Sequence, residues 1–343
     1  MGTSTIRVGV VGAGANTVSR HLPGLLEQPD VELASVCNRS RASSERVAQQ
    51  FGIGAVYGSW PELVAADDSD AIVIGTWPYL HCPITLAALA AGKHVLCEAR
   101  MAMNAGEARA MLAASQGHPE LVAQIVPAPH TLGEDGTIRR YLAEGRLGDL
   151  VAVELIDSST FRTEGPLHWR HQRELSGLNI MTLGIWYEAM MRWAGPATRV
   201  AAFARTFVSM RPDADGVRRA VPIPDHVDVL GDLACGAQLR MQVSQVTGLR
   251  PSGAWLCGSE GTLHRDADGG LHFGARGDNA LAPVSIAPED GGAWRVEEEF
   301  INAIRGREQV SHTRFADGVQ YMEFTAAVHR SLDTGRAAAV AGL

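Results

Sequence analysis

The sequence predicts an α/β protein, with a doubly wound parallel sheet over residues 1–126 followed by a second α/β domain over 127–343. Three observations carry this reading. At 343 residues the chain exceeds the usual size of a single hydrophobic core. Short apolar runs alternate with helical patterns through the first third, and such alternation implies right-handed crossovers that cover a parallel sheet on both faces. A glycine-rich turn joins the first apolar run to the first helix.

The elements follow in order. Residues 6–11 read as a strand, 18–26 as a helix, 31–37 as a strand and 43–51 as a helix. The alternation continues with a strand at 71–76, a helix at 84–91, a strand at 95–97, a helix at 105–115 and a strand at 121–126. In the second half, 149–157, 199–208, 227–235, 238–246 and 254–258 alternate or run apolar in strand-length pieces bounded by Gly, Pro and Asp. Residues 211–224 read as a polar, Pro-containing loop, and 337–341 as a frayed or strand-edge tail.

Composition removes several function classes. The 30 Lys and Arg against 38 Asp and Glu give a formal charge of −8, which repels nucleic-acid phosphates, and no basic patch offsets it. No run approaches the roughly 18–20 apolar residues of a bilayer span, and residues 1–7 lack the basic-then-apolar pattern of a secretory leader. A cytoplasmic protein without membrane or nucleic-acid partners is therefore expected. The five cysteines are scattered, with no C-x-x-C pair or zinc-type spacing, so they read as small buried hydrophobes rather than disulfides or metal ligands.

The first turn reads Gly12-Ala13-Gly14-Ala15-Asn16-Thr17. Gly12 and Gly14 let the chain turn sharply and let backbone approach a diphosphate, whose charge then faces the N-terminus of the following helix. Thr17 stands where a third small residue is usual. After the second strand the run is Cys37-Asn38-Arg39-Ser40-Arg41, without the carboxylate that ordinarily holds the adenosine ribose. Arg39, Ser40 and Arg41 are donors suited to a 2′-phosphate, while Asn38 remains able to bond a ribose diol. The balance leans towards NADP over NAD.

Residues 70–81 (DAIVIGTWPYLH) and 87–103 (AALAAGKHVLCEARMAM), together with Gly12, Gly14 and His21, resemble the Gfo/Idh/MocA oxidoreductases. Trp294, Phe300, Ile304, Gly306, Phe315, Gly318, Ser331 and Gly335 resemble that family's closing helices. The resemblance implies a Rossmann domain, then an α/β domain built on a large, mostly antiparallel open sheet. It further implies a homodimer or homotetramer through that sheet, with C-terminal helices packing back toward the first domain. Cofactor contacts carry over to Gly12, Gly14, Ala15, Asn16, Thr17, Asn38, Arg39, Ser40, Thr76, Trp77, His81 and Glu98.

The family's catalytic groups do not carry over. Its Lys falls on Ala99 and the following Pro on Arg100. Its Asp-x-Gly-x-His-x-x-Asp helix falls on Thr182, Gly184, Trp186 and Ala189. A positioned general acid or base contributes about 10²- to 10⁴-fold, so another group must handle the proton. The candidates are His168, Tyr187 and His130, or water. The expected substrate contacts are Arg170 and Asn179, because 167–179 crowds proton-handling and anion-binding side chains ahead of the helix, with Thr182 and Trp186 at the family's helix positions, Trp186 as a pocket wall, and Arg100 orienting a substrate carboxylate or hydroxyl near the nicotinamide. The expected activity is NAD(P)-dependent hydride transfer to or from a small polyol, sugar or related carbonyl compound. The alternatives are a glycoside-cleaving or rearranging enzyme that retains and recycles its dinucleotide, and a non-catalytic dinucleotide sensor or partner subunit.

Overall fold

The structure is a computed structural model that describes residues 5–126, 132–158 and 165–342. The chain divides into two compact units, one formed by residues 1–127 and 295–319, the other by 128–294 and 320–343. The chain thus crosses between the units three times.

In the first unit, β1 (Ile6–Val11) leads through a wide π-type turn, Thr17–His21, into α1 (Leu22–Leu26), then β2 (Val31–Cys37) and α2 (Arg41–Phe51). β3 (Ala55–Val56), α3 (Trp60–Ala65), β4 (Ala71–Ile74), α4 (His81–Ala90), β5 (His94–Cys97), α5 (Ala105–Gly117) and β6 (Ala123–Ile125) complete its first segment. The six strands are parallel, in the order β3-β2-β1-β4-β5-β6. Val8, Val10, Val36 and Ile72 are fully buried, and β4 has no exposed residue. That is the burial of a sheet covered on both faces. β3 and α3 were not anticipated, because two residues of strand and one helical turn and a half fall below the length at which periodicity speaks.

Several boundaries differ from expectation for identifiable reasons. α2 begins at Arg41, not 43, because Ser40 caps it, its hydroxyl accepting from the Ser43 N–H. β4 ends at Ile74, before Gly75, whose backbone lies so close to the first turn that a Cβ there would meet Thr17 Oγ1 at 2.1 Å and the Gly12 carbonyl at 2.4 Å. Helix and strand therefore touch at the crossover only with glycine at this position.

The second unit contains α6 (Asp135–Ala143), β7 (Leu150–Ser158), α7 (Arg173–Ser176), α8 (Leu183–Ala194), β8 (Ala197–Arg205), β9 (Met210–Pro212) and β10 (Arg218–Ala220). β11 (His226–Leu233), β12 (Gln238–Ser244), β13 (Gly253–Gly258), β14 (Gly261–Arg265), β15 (Leu271–Ala275) and β16 (Ala282–Val284) follow. α9 (Val296–Ile304) returns to the first unit, α10 (Phe315–Thr334) begins there and ends in the second, and β17 (Ala338–Ala339) closes the chain. Nine strands form one sheet in the order β16-β15-β14-β13-β7-β12-β11-β8-β17, antiparallel except for β7 beside β12. Residues 211–224, expected as a loop, contain the two-stranded β9–β10 hairpin. α6 and α8 bury Ile138, Tyr141, Ala189 and Trp193 against Leu256, Leu263 and Leu271 of the sheet. The Asp135 carboxylate ties the two helices, accepting from Arg192 and from Trp193 Nε1 at 2.8 Å. Arg192 is thus held by Asp135.

Candidate active site

Register brings the first unit's candidate residues to one rim. Val11 lies across from Cys37 and from Ile74, and Ile74 across from Cys97. The residues that follow each strand, Gly12, Asn38, Gly75 and Glu98, therefore emerge together at the carboxyl ends of the sheet. The order 3-2-1-4 places the reversal of winding between β1 and β4, where an open α/β sheet leaves its crevice.

A cavity of about 580 Å³ opens at this rim within the first unit. Gly12, Gly14, Asn38, Arg39, Ser40, Thr76 and Trp77 line it, as the sequence suggested, and so do Ser43, Arg46, Ser59, Trp60, Tyr79 and Leu80, which it did not. Gly12 sits at φ +86°, where a Cβ would strike Thr76 at 2.7 Å. Gly14 is different: an added Cβ would approach nothing nearer than the Gly75 carbonyl at 3.8 Å, so nothing inside the protein requires a glycine there. What its missing side chain preserves is room in the cavity. Among the described residues the buried Thr76 hydroxyl has no hydrogen-bond partner. A glycine kept open toward a cavity and an orphaned donor beside it fit a dinucleotide diphosphate, which needs close backbone approach and hydrogen-bond donors.

The ribose-side group is built from α2. Ser40, Ser43 and Arg46 recur every three residues and so share a helix face. The Arg39 guanidinium lies 5.7 Å from the Trp77 ring centre, linking the end of β2 to the segment after β4. Asn38 is committed within the protein: its carbonyl oxygen accepts from the Ala13 N–H at 2.6 Å and its amide donates to Ser43 Oγ at 3.1 Å. Asn38 thus braces the turn while it lines the cavity.

Four further expected cofactor contacts act on their neighbours. Thr17 is buried, its hydroxyl donating to the Gly12 carbonyl at 3.2 Å. Asn16 donates to Glu98, which also meets His21 Nε2 at 3.0 Å; His21 Nδ1 lies 2.5 Å from Glu297 of α9. His21 is fully enclosed between these carboxylates. Burial disfavours its charge, but the bonds to Glu297 and Glu98 outweigh it and push the imidazole up to about 9. Burial likewise opposes charge on Glu98, and His21 and Asn16 hold its carboxyl below the usual range. His81, also buried, spans the Thr76 and Arg100 carbonyls at 2.9 Å each. Desolvation holds its pKa below the ordinary value. Both histidines position loops and do not face the cavity. Ala15 is exposed at the turn and does not line it.

The second unit rearranges the catalytic expectations. Tyr187 is fully buried, stacked on Phe324 at 3.7 Å, and its oxygen accepts from the Ala197 N–H at 2.9 Å. Burial pushes its phenol up to about 12. It is a core residue, and its proposed proton role is withdrawn. Arg100 and Asn179 are 3% and 1% exposed, the Asn179 amide donating to the Ser176 carbonyl, so neither presents an open contact surface. His168 and Arg170 are exposed; His168 Nδ1 accepts from the Arg170 N–H at 3.3 Å, and the Arg170 guanidinium lies 4.1 Å from the Trp169 ring centre. Trp186 packs against the α6–α8 core with the Arg265 guanidinium 5.3 Å from its ring. Thr182 precedes α8, and its hydroxyl donates to Asp157 at the end of β7, an acidic residue the sequence did not single out. His130 lies outside the described residues.

Known proteins agree with this construction. The oxidoreductase family with an NAD-binding Rossmann fold matches residues 6–124, and the GFO/IDH/MocA C-terminal domain matches 136–264. A dTDP-3,4-didehydro-2,6-dideoxy-alpha-D-glucose 3-reductase from Streptomyces antibioticus is 29% identical over 202 residues, 59% of this chain and 60% of that protein. The 1,5-anhydro-D-fructose reductase of Ensifer adhaerens is 32% identical over 171 residues, 48% of this chain and 49% of the relative. The matched region thus spans between about half and three-fifths of these relatives. Levoglucosan dehydrogenase in complex with NADH shares the fold, with a TM-score of 0.86 over 99% of this chain and 100% of that one at 20% identity. With the six-stranded nucleotide sheet, the nine-stranded second sheet and both domain matches in place, the chain belongs to the Gfo/Idh/MocA oxidoreductases.

Proposed function

We propose that the protein is an NAD(P)-dependent oxidoreductase for a small sugar, cyclic polyol or related carbonyl compound, with NADP as its preferred dinucleotide. The cavity lining carries the reading: it offers glycine backbone at Gly12 and Gly14, Arg39 and Arg46 with Ser40 and Ser43, and no carboxylate among the described residues. Two guanidinium groups without a repelling acid suit a 2′-phosphate better than a bare ribose diol. When bound, the dinucleotide supplies the hydride acceptor or donor. The chain's own residues hold its diphosphate at Gly12 to Gly14 and its phosphorylated ribose at the start of α2. The substrate class is supported by the sugar chemistry in the names of the relatives, a deoxyglucose reductase, an anhydrofructose reductase and levoglucosan dehydrogenase.

Calorimetric titration with NADP and NAD, followed by turnover on D-glucose, myo-inositol, levoglucosan and 1,5-anhydro-D-fructose, tests both parts. NADP is expected to bind at least about tenfold more tightly, since one charge-assisted hydrogen bond contributes about 1.5–3 kcal/mol. Arg46→Ala reduces that preference and Asn38→Asp reverses it. Gly14→Asp abolishes binding of both dinucleotides without unfolding the protein, because the added side chain enters open space. Undiminished binding by Gly14→Asp overturns the site.

A further inference from the structure

The turn offered to the diphosphate is anchored on two sides. Toward β2, the Gly12 N–H donates to the Cys37 carbonyl at 2.8 Å and the Ala13 N–H to Asn38 at 2.6 Å. The far side depends on Asn16, an exposed residue at the head of the π-type turn whose side chain makes no cap. Its amide donates instead to Oε1 of Glu98, just after β5. The same oxygen meets His21 Nε2 at 3.0 Å, while Oε2 accepts from the Ala99 N–H at 3.1 Å. His21 Nδ1 in turn lies 2.5 Å from Glu297 Oε1 of α9. Gly24 of α1 leaves the space this second carboxylate fills, since a Cβ there would meet Glu297 Oε2 at 2.7 Å. All these residues belong to the first unit. Hydrogen-bond counting fixes the charge of the clamp. Both oxygens of Glu98 accept, as those of an ionised carboxylate do, and both ring nitrogens of His21 meet a carboxylate oxygen, whereas a neutral imidazole has only one N–H to give. Among the described residues Glu98 and Glu297 are the charged groups that act on His21. His81 of α4 and the Cys97 thiol of β5, which face Glu98, are kept uncharged by burial.

We propose that His21 is a positioning residue for the dinucleotide: clamped as an imidazolium between Glu98 and Glu297, it fixes Glu98 for Asn16, holds the far side of the diphosphate turn, and so makes dinucleotide affinity fall when the clamp gives up its proton. The assignment rests on the dinucleotide site proposed above. Release of the proton to solvent leaves a ring lone pair facing a carboxylate in a dry site. The two carboxylates then repel, Asn16 loses its anchor, and the N–H groups at the head of the π-type turn lose their alignment on the diphosphate. Because the imidazole is held up to about 9, affinity is full near neutral pH and lost as pH rises through that value. NADP and NAD share the diphosphate, so both lose affinity by the same factor, which separates the clamp from any contact to a 2′-phosphate.

Calorimetric titration of the full chain with NADP and with NAD at pH 7.5 and 9.5, with circular dichroism confirming the fold at both, separates this from a merely structural role. The wild-type Kd for each dinucleotide is expected to rise about fivefold or more at the higher pH, the low end of ordinary coupling between two sites. His21→Gln removes the titrating group and should bind more weakly at pH 7.5 with no further loss at 9.5. Glu297→Gln withdraws one carboxylate from the imidazolium and should move the loss of affinity to lower pH. Asn16→Ala, an exposed substitution that spares the fold, cuts the link between clamp and turn. It should bind more weakly at pH 7.5 and lose the pH dependence of binding, while its unfolding midpoint still declines at alkaline pH. Wild-type affinity that is equal at the two pH values overturns the proposal, and so does an Asn16→Ala protein that keeps the wild-type pH dependence. A wild-type protein that binds neither dinucleotide at pH 7.5 would instead sink the nucleotide site and the oxidoreductase reading with it.

Discussion

His21 shows how one buried side chain governs the geometry of the nucleotide turn. Its imidazolium lies between Glu98, which Asn16 of the turn also contacts, and Glu297 of α9, so loss of its charge leaves two carboxylates facing each other in a dry site. Its folded-state pKa of about 9 lies above the ordinary 6.5. The stabilisation is therefore fully present below about 6.5 and lost as pH rises through 9. The difference is worth about 3 kcal/mol at 1.36 kcal/mol per unit. Urea denaturation midpoints should fall between pH 7 and 9.5, and His21→Gln should be less stable at pH 7 and lack most of that alkaline decline. An unchanged alkaline decline in the variant refutes the charged clamp. At this scale the sequence was partly legible. Gly12 and Gly14 announced the turn because a steric demand writes itself as glycine. Arg46 and Ser43 did not, since reading the helix from residue 43 concealed that Ser40, its cap, begins the three-residue repeat that aligns them. Glu297 was invisible, 276 residues from its partner.

Among the elements, α8 is where pattern and role separated most. Tyr187, Glu188, Ala189 and Met190 are all buried, so the helix is enclosed on more than one side and its apolar spacing does not reveal which face meets a ligand. A tyrosine beside a lost catalytic position therefore looked like a proton donor, although its ring stacks on Phe324 of α10 and its oxygen serves the Ala197 N–H. Tyr187→Phe should cost about 1–2 kcal/mol of stability through the unsatisfied buried amide and leave kcat within about threefold. A hundredfold loss of kcat with an unchanged unfolding midpoint would return Tyr187 to the active site. Asp157 escaped notice for the complementary reason: at the end of an apolar strand it reads as a boundary residue, and only the fold sets it against the head of a helix 25 residues later. The strands themselves were legible because β7, β12 and β14 alternate buried with more exposed positions, the period that a one-faced sheet imposes.

For the molecule as a whole, the parallel-then-antiparallel plan was legible in the residue pattern, whereas the return of residues 295–319 to the first unit has no local signal and was expected only from the family resemblance. The nucleotide-binding unit is assembled from two distant segments, and the second is no accessory. Val296, Phe300, Ile301 and Phe315 are each at most 3% exposed. Glu299 accepts from the buried Gln124 at the end of the sheet, Glu297 holds His21, and the Arg305 guanidinium donates to the Pro29 carbonyl. Fully burying one such apolar side chain is worth about 1.5–3 kcal/mol, so four approach the 5–15 kcal/mol by which a typical domain is stable at all. A fragment ending at residue 127 therefore holds every strand of the six-stranded sheet yet should not fold by itself into a competent nucleotide site. Expressed alone, residues 1–127 should show non-cooperative thermal unfolding and no calorimetric response to NADP, whereas the full chain binds. If the short fragment bound with the affinity of the intact protein, the turn would be self-supporting, and the brace running from His21 through Glu297 to α9 would have no part in shaping it.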